Sequence, residues 1–279
     1  MATSLLSCCV KPALMPIFLA NNIKPHGGHW DAACAIKENS METQKHNVDV
    51  FNQDVSASGS YAYTVNRLSS VLANKRISDA FAAIYPPQGK RFLDLGCGDG
   101  TYSLELIQRG ADFVLGIDPS EKAVTAATAK ADKAGFTDKA RFQVGNIYDL
   151  SLTEHFDCIV LRGVLHHLPD AGKALRAVAP FAPNVLIMEP NGTNPVVKII
   201  EKTSRYHIEH EEQSFPLSTL RRWLFEAGFT QFTCNHVNLV PMFCPDWLAK
   251  VCKFMESTFE AIPFIRNISC GQYIILSSK

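Results

Sequence analysis

The residues best suited to chemistry lie in a glycine-rich stretch, Leu93–Gly100, which reads LDLGCGDG. Gly96, Gly98 and Gly100 alternate with other residues there, and a glycine has no side chain to keep a ligand away from the backbone. Helix-forming residues follow the stretch, so the positive end of a helix would point into the same space. The stretch therefore predicts a cofactor site.

Two carboxylates accompany the glycines. Asp94 lies within the stretch, and Asp118 ends the next apolar run, where a carboxylate can hold both hydroxyl groups of a ribose. Asp118 alone does not discriminate, because nicotinamide-binding folds share this feature. Those folds, however, use the spacing Gly-x-Gly-x-x-Gly, and position 101 is a threonine where the last glycine should be. A plain strand-to-helix connection would explain the glycines but not both carboxylates.

A pair of histidines, His166 and His167, follows the fourth apolar run of the chain. Histidine titrates near neutral pH, so either ring could take a proton from a hydroxyl or an amine. In the alternative interpretation, the pair only shapes the floor of the binding site.

The segment after the fifth apolar run carries further candidates for catalysis and substrate binding. They are Glu189, Asn191, Tyr206, His207 and His210. If one helix ran from 196 to 209, the last two histidines would share a face, as a base, a substrate-orienting pair or half of a metal site. Two histidines with nearby carboxylates are weak evidence for a metal, so we expect none. A solvated, charged helix end is the alternative.

Two tyrosines precede the first helical pattern. Tyr61 and Tyr63 are candidate substrate-side residues, because the face of an aromatic ring attracts a positively charged group of a ligand. Packing of the rings in a core or lid is the alternative. The apolar segment 241–247 could likewise line an acceptor site or merely close the sheet.

An alternation of strands and helices must position these side chains. Helical spacing of apolar residues begins near Leu68 and ends before Pro86 and Pro87. Further helices are predicted over 101–109, 217–227 and 246–260, and two more follow the caps Ser120 and Asp170 and run to 134 and 179. The predicted strands are Arg91–Leu95, Phe113–Asp118, Arg141–Asn146, Phe156–Arg162, Asn184–Glu189, Phe229–Val240 and Gln272–Ser277. This order predicts an α/β fold with a mostly parallel, seven-stranded sheet, helices on both faces and an antiparallel last strand.

Bulk properties narrow the class of protein. The chain has 279 residues, with 27 basic and 27 acidic side chains, so it lacks the field that drives nonspecific nucleic-acid binding. Nine cysteines without a Cys-x-x-Cys pair favour a reduced, cytoplasmic setting. The first 20 residues contain no acidic residue, so organelle targeting is a second interpretation. No apolar stretch is long enough to span a membrane.

The pattern also divides the chain. Residues 1–50 show little periodicity and are predicted to be a poorly structured extension, whereas 51–279 form one domain. Within that domain, residues from about 88 to 190 are expected to form the cofactor half. Segments near 56–85, 190–216 and 241–268 are expected to lie on the substrate side, and the oligomeric state is left open.

Several motifs together resemble those of one family. Leu93–Gly100 resembles motif I of the class I S-adenosylmethionine-dependent methyltransferases, and residues 116–120 resemble their acidic second motif. Residues 145–149 and 156–168 match the segments at the third and fourth strands of that family. The resemblance is strong over roughly 90–189 and implies a Rossmann-like fold and S-adenosyl-L-methionine as cofactor.

The resemblance also implies roles for individual residues. Asp94 would hold the methionine ammonium group and Asp118 the ribose, whereas Asn146 and Ile147 would flank the adenine. Asn146 replaces the aspartate that is more frequent in the family. Arg162 would contribute its backbone beside the methionine moiety, and its side chain has no assigned role. The full set of implied cofactor residues is Asp94, Gly96, Cys97, Gly98, Asp118, Pro119, Asn146, Ile147 and Arg162.

The function that follows is methyl transfer to an oxygen or nitrogen atom of a small molecule. The neutral charge and Arg162-Gly163-Val164-Leu165, in place of an Asn/Asp-Pro-Pro-Tyr motif, make nucleic acid an unexpected substrate. Transfer to a protein or RNA, and a non-catalytic cofactor-binding scaffold, remain as alternatives.

Overall fold

The computed structural model describes residues 67–204, 213–242 and 244–279. Seven strands form one sheet in the order β3-β2-β1-β4-β5-β7-β6. Their bounds are β1 Arg91–Leu95, β2 Phe113–Asp118, β3 Ala140–Val144, β4 Cys158–Arg162, β5 Asn184–Pro190, β6 Gln231–Val237 and β7 Gln272–Ser278. The first five strands pair in parallel, and β7 is antiparallel to both β5 and β6. The predicted fold class is confirmed.

Helices cover both faces of this sheet. They are α1 Leu68–Ile84, α2 Thr101–Gln108, α3 Glu121–Ala134, α4 Ala171–Val178, α5 Pro195–Thr203, α6 Leu217–Glu226, α7 Asp246–Ala261 and α8 Pro263–Ser269. Short 3₁₀ turns lie at Leu165–His167 and Ala179–Phe181. None of the described helices is both long enough and apolar enough to cross a lipid bilayer.

Alternate residues of β1 contribute to two separate hydrophobic cores. Leu93 and Leu95 pack with Leu175 of α4 on one face of the sheet. Phe92 packs with Phe81 of α1 on the other face, together with apolar residues of α2. Because successive side chains of a strand point to opposite faces, a strand with apolar side chains on both faces must be covered on both sides. Asp94 belongs by this alternation to the α1 and α2 side.

Local capping explains why two helices begin where the sequence predicted. Ser120 Oγ accepts a hydrogen bond from Ala123 N (3.1 Å) at the start of α3. Asp170 Oδ1 accepts one from Lys173 N (2.8 Å) at the start of α4. A side-chain acceptor satisfies a backbone N–H group that has no partner within the first turn of a helix. Gly135, with φ of 72°, ends α3 in the left-handed conformation.

One predicted element differs from the structure in a way that affects the candidate site. The helix considered over 196–209 ends at Thr203, because Ser204 is extended with ψ of 124°. Asn194 Oδ1 caps its start by accepting from Val196 N (2.8 Å). A single helix over 196–209 is therefore wrong, and His207 and His210 lie outside the described part. The predicted extension 1–50 lies outside it as well, so the domain boundary stays a prediction.

Candidate cofactor and active site

The glycine loop between β1 and α2 requires its glycines for their backbone conformation. Gly96, Gly98 and Gly100 have φ of 71°, 54° and 74°. Side chains are strained in this left-handed region, whereas glycine adopts it freely. A Cβ on Gly96 would also lie 2.6 Å from Val164 Cγ2, so the loop after β4 packs directly against this glycine. The loop is thereby fixed from two sides.

Cys97 and Gly116 fit together behind the loop. The Cys97 side chain is buried, and burial raises the pKa of its thiol well above the usual value. A Cβ on Gly116 would lie 2.9 Å from Cys97 Sγ and 2.4 Å from a ring carbon of Phe142. In this arrangement the Cys97 side chain serves packing, and contact of this residue with a cofactor through its backbone stays a prediction.

Asp118 is held in place by backbone donors. Its Oδ2 accepts from Gly98 N (2.9 Å), and its Oδ1 accepts from Ser120 N (2.9 Å). Burial raises the pKa of the Asp118 carboxyl group, and these two hydrogen bonds oppose the rise. Each carboxylate oxygen has a second lone pair, so the group can still accept hydrogen bonds from two ligand hydroxyls. The adjacent Pro119 is exposed.

Asp94 is a buried carboxyl group at the end of β1. Its Oδ2 accepts a hydrogen bond from Ser103 Oγ, on the first turn of α2. Burial raises the pKa of Asp94 to about 6, with a further upward effect from Asp118, and the Arg162 guanidinium opposes this rise. A cation bound next to Asp94 would favour its charged form.

The side chain of Arg162 turns away from solvent toward α1 and α2. Its Nη1 donates to Ser78 Oγ (2.9 Å), and its guanidinium lies 3.4 Å from the ring centroid of Tyr102. The Arg162 side chain is 7% exposed, and burial lowers its pKa. Together with Asp94 it borders a cavity of about 20 Å³, which is large enough for one water molecule. Sequence reasoning assigned this side chain no role.

Glu189 organises the loop after β4. The residue has no exposed surface, and its Oε1 accepts from Val164 N (3.1 Å) and Leu165 N (2.8 Å). Its Oε2 lies 2.8 Å from His166 Nδ1. The carboxylate thus binds three groups of the loop that carries both predicted histidines. His167 packs beside His166, with ring centroids 4.0 Å apart.

Other predicted residues have structural partners. Asn191 is buried; its Nδ2 donates to the carbonyl oxygens of Asn267 and Cys270 (2.9 Å each), and its Oδ1 accepts from Thr193 N. Asn191 therefore fastens the segment after β5 to α8, and contact with an acceptor stays a prediction. Asn146 Oδ1 accepts from Tyr148 N (3.0 Å), and Ile147 is half-buried. Tyr61, Tyr63, Tyr206, His207 and His210 lie outside the described residues.

The residues that sequence reasoning missed are those that support the buried charges. Ser103 holds Asp94, whereas Ser78 and Tyr102 hold Arg162. Only Ser103 had a sequence signal, since it occupies the first turn of a helix that begins beside Asp94. Ser78 lies on α1, and nothing in its local sequence points to a residue of β4.

Comparison with known proteins identifies the family. A family model described as "Methyltransferase domain" matches residues 87–227, about half of the chain. The chain belongs to the class I S-adenosylmethionine-dependent methyltransferases. The match spans the glycine loop, Asp118 and the loop after β4, so the expected family and cofactor are confirmed.

The relatives of this methyltransferase differ in acceptor. It is 33% identical over 109 residues to a 27-O-demethylrifamycin SV methyltransferase of Amycolatopsis mediterranei, covering 38% of this chain and 40% of the relative. It is 30% identical over 157 residues to a tRNA U34 carboxymethyltransferase of Methylococcus capsulatus, covering 53% and 47%. The methyltransferase thus spans less than half the length of either relative.

A solved structure supports the fold. The magnesium protoporphyrin IX methyltransferase of Synechocystis PCC 6803, with bound S-adenosylhomocysteine, superposes with a TM-score of 0.55 at 16% identity. The superposition covers 89% of this methyltransferase and all of that chain.

The described residues fit S-adenosylmethionine by the chemistry of their donors and acceptors. Asp94 is a buried carboxyl group suited to an ammonium ion, and Asp118 retains acceptors for two ribose hydroxyls. The left-handed glycines between them expose backbone to a ligand.

Proposed function

We propose that this methyltransferase transfers the methyl group of S-adenosylmethionine to an oxygen or nitrogen atom of a small-molecule acceptor. We further propose that His166, oriented by Glu189, takes the proton that the acceptor loses. The observation that supports this role of His166 is the 2.8 Å contact between its Nδ1 and Oε2 of Glu189, a residue with no exposure to solvent.

The chemistry assigns a role to each member of this pair. S-adenosylmethionine supplies an electrophilic methyl group on a positively charged sulfur. A hydroxyl acceptor loses its proton as it is methylated, whereas an ammonium acceptor must lose a proton first to free its lone pair; a base near neutral pH can accept either proton. A carboxylate on Nδ1 keeps a proton on that nitrogen, makes Nε2 the basic atom and stabilises the imidazolium that forms. Glu189 is a positioning residue in this mechanism, because it acts through His166.

Two observations favour a small-molecule acceptor. The chain carries equal numbers of acidic and basic residues, so it has no net positive charge to attract a polyanion such as RNA. One matched relative is named for methylation of a rifamycin, which is a small molecule. An RNA acceptor is the second candidate, favoured by the matched tRNA enzyme.

Transfer of labelled methyl groups distinguishes these acceptors. The purified protein and labelled S-adenosylmethionine are incubated separately with small metabolites, total RNA and total protein from a cell extract. We expect label in the metabolite fraction. Label in the RNA fraction that becomes soluble on treatment with ribonuclease would instead identify RNA as the acceptor. Tight cofactor binding without label in any fraction would indicate a non-catalytic scaffold.

Substitutions then test the proposed base. His166→Gln and Glu189→Gln should each lower kcat, roughly 100-fold for the first, and leave affinity for S-adenosylhomocysteine within about twofold of the wild type. Exposed His155 gives the matched control, His155→Gln. An unchanged kcat in His166→Gln would show that the ring serves only to shape the loop.

A further inference from the structure

Large apolar side chains on the described surface are concentrated on three helices. Phe254 is 86% exposed, Phe264 is 74% exposed and Trp247 is 67% exposed. Single exposed apolar residues are common on protein surfaces, whereas a concentration of them on one part of a molecule often marks an interaction site. We call these residues the apolar surface: Val196, Ile199 and Ile200 on α5; Trp247, Val251, Phe254 and Met255 on α7; Ile262, Phe264 and Ile268 at α8.

Helix α7 turns its acidic side inward and its apolar side outward. Arg76 of α1 donates from Nε to Glu260 Oε1 (3.0 Å) and also pairs with Glu256, which is buried. Trp247 and Phe254, on the opposite side of the helix, are the exposed residues. A helix that served only the core of this domain would show the reverse pattern. The outward face of α7 is therefore suited to a partner.

The segment that leads into α5 is hydrogen-bonded to α8 and to the residue after it, beside the end of β5. Asn194, which caps α5, donates from Nδ2 to Cys270 O (3.1 Å), directly after α8. Thr193 Oγ1 donates to Asn267 O (3.0 Å) within α8. Both contacts lie just after β5, beside the end of the strand that carries Glu189. The part of the apolar surface on α5 and α8 thus lies beside the strand that carries Glu189 of the candidate active site.

Basic side chains flank the apolar surface. Lys202 of α5 and Lys250 of α7 are exposed, and Lys253, which pairs with Glu256, is partly exposed. In a two-fold dimer the same patch meets itself, so these lysines would need carboxylates on that patch. The exposed carboxylate of α7 is Asp246, one against three lysines, whereas Glu260 and the buried Glu256 lie on the inward side with Arg76. This charge pattern suits an anionic surface better than a second copy.

We propose that the apolar surface docks on an anionic lipid bilayer. Trp247, Phe254 and Phe264 enter the boundary between headgroups and acyl chains, and the lysines lie among the headgroup phosphates. The bilayer then stands next to the acceptor side of the site. A lipophilic small molecule taken from the bilayer is the acceptor class that fits. This last step rests on the proposed function, whereas the docking itself does not.

Sedimentation with vesicles tests the docking. The full chain is mixed with vesicles of phosphatidylcholine alone or of phosphatidylcholine with phosphatidylglycerol. We expect binding to the anionic vesicles and much weaker binding to the neutral ones. Phe254→Asp and Phe264→Asp should each weaken binding roughly tenfold or more, because each removes an aromatic group that the bilayer would bury and adds a negative charge that the anionic lipids repel. Phe225→Asp is the matched control, since Phe225 is 69% exposed on α6.

Affinity for S-adenosylhomocysteine, measured by calorimetry in every variant, shows independently that the cofactor site is intact. No binding to either vesicle would overturn the proposal. Equal binding by Phe254→Asp and wild type would also overturn it, because the contact would then lie elsewhere in the chain. A dimer that Phe254→Asp converts to a monomer, without vesicle binding, would assign the surface to a second copy instead.

Discussion

The buried carboxyl group of Asp94 offers a quantitative test of the cofactor site. Its pKa is raised to about 6 in the folded protein, mainly by burial, from an ordinary value of 3.8. The folded state therefore holds a proton between about pH 4 and pH 6 that the unfolded state has released. The contribution of Asp94 to stability is full below about pH 4 and is lost as the pH rises through about 6.

The size of this effect follows from the shift in pKa. A difference of about two units corresponds to about 3 kcal/mol of unfolding free energy, of which about 1.4 kcal/mol falls between pH 5 and pH 8. Asp94→Asn removes the charge and keeps an oxygen that can accept from Ser103 Oγ. Without cofactor, the variant should therefore gain about 1.4 kcal/mol relative to wild type as the pH rises from 5 to 8. It should also lose affinity for S-adenosylhomocysteine.

Urea unfolding of both proteins without cofactor at several pH values measures the first effect, and calorimetry measures the second. Exposed Asp112 provides the matched control, Asp112→Asn, which should change neither. A stability difference between wild type and Asp94→Asn that is constant from pH 5 to pH 8 would refute the assigned environment of Asp94. Undiminished affinity in Asp94→Asn would place the ligand ammonium group elsewhere.

Two further substitutions test the support of the site. Gly116→Ala places a methyl group 2.4 Å from Phe142 and 2.9 Å from Cys97 Sγ, so it should lower unfolding free energy by about 1–3 kcal/mol in urea titrations; an unchanged midpoint would show that the ring moves freely. Asp118→Asn turns an amide donor toward the N–H group of Gly98 or Ser120, and should weaken S-adenosylhomocysteine binding roughly tenfold or more by calorimetry. Unchanged affinity would place the ribose away from Asp118.

The central strands could be predicted closely because local sequence marks them at both ends. The observed bounds of β1 and β2 equal the predicted ones, since each is a short, mostly apolar run: Gly96 follows β1, and β2 ends at Asp118, directly before Pro119. The predicted bounds of the edge strands β3 and β6 were less accurate. Strand β6 alternates between exposed and half-buried residues and ends at Val237, followed by Asn238 with φ of 70°. Apolar content alone therefore extended its prediction to Val240.

In the candidate site as well, residues marked by their local sequence could be predicted, whereas contacts between distant elements could not. Glycine spacing places Asp94 and Asp118 next to one loop, so both could be found from neighbouring residues. Glu189 and His166 were each singled out, but their contact joins β5 to the loop after β4, and no spacing rule supplies it. The stacking of Arg162 on Tyr102 likewise joins β4 to α2. Such contacts depend on packing and require the structure.

The buried charges of the candidate site lower the stability of the protein without cofactor, and the bound cofactor would offset this cost. Asp94 and Asp118 are both buried on neighbouring strands, and each raises the free energy of the folded state when it ionises. Arg162 offsets part of this for Asp94, although burial disfavours its own charge. An ammonium group bound at Asp94 would supply the missing compensation and draw off its proton. Affinity for the cofactor should therefore rise with pH through about 6, over the range in which the free protein loses stability.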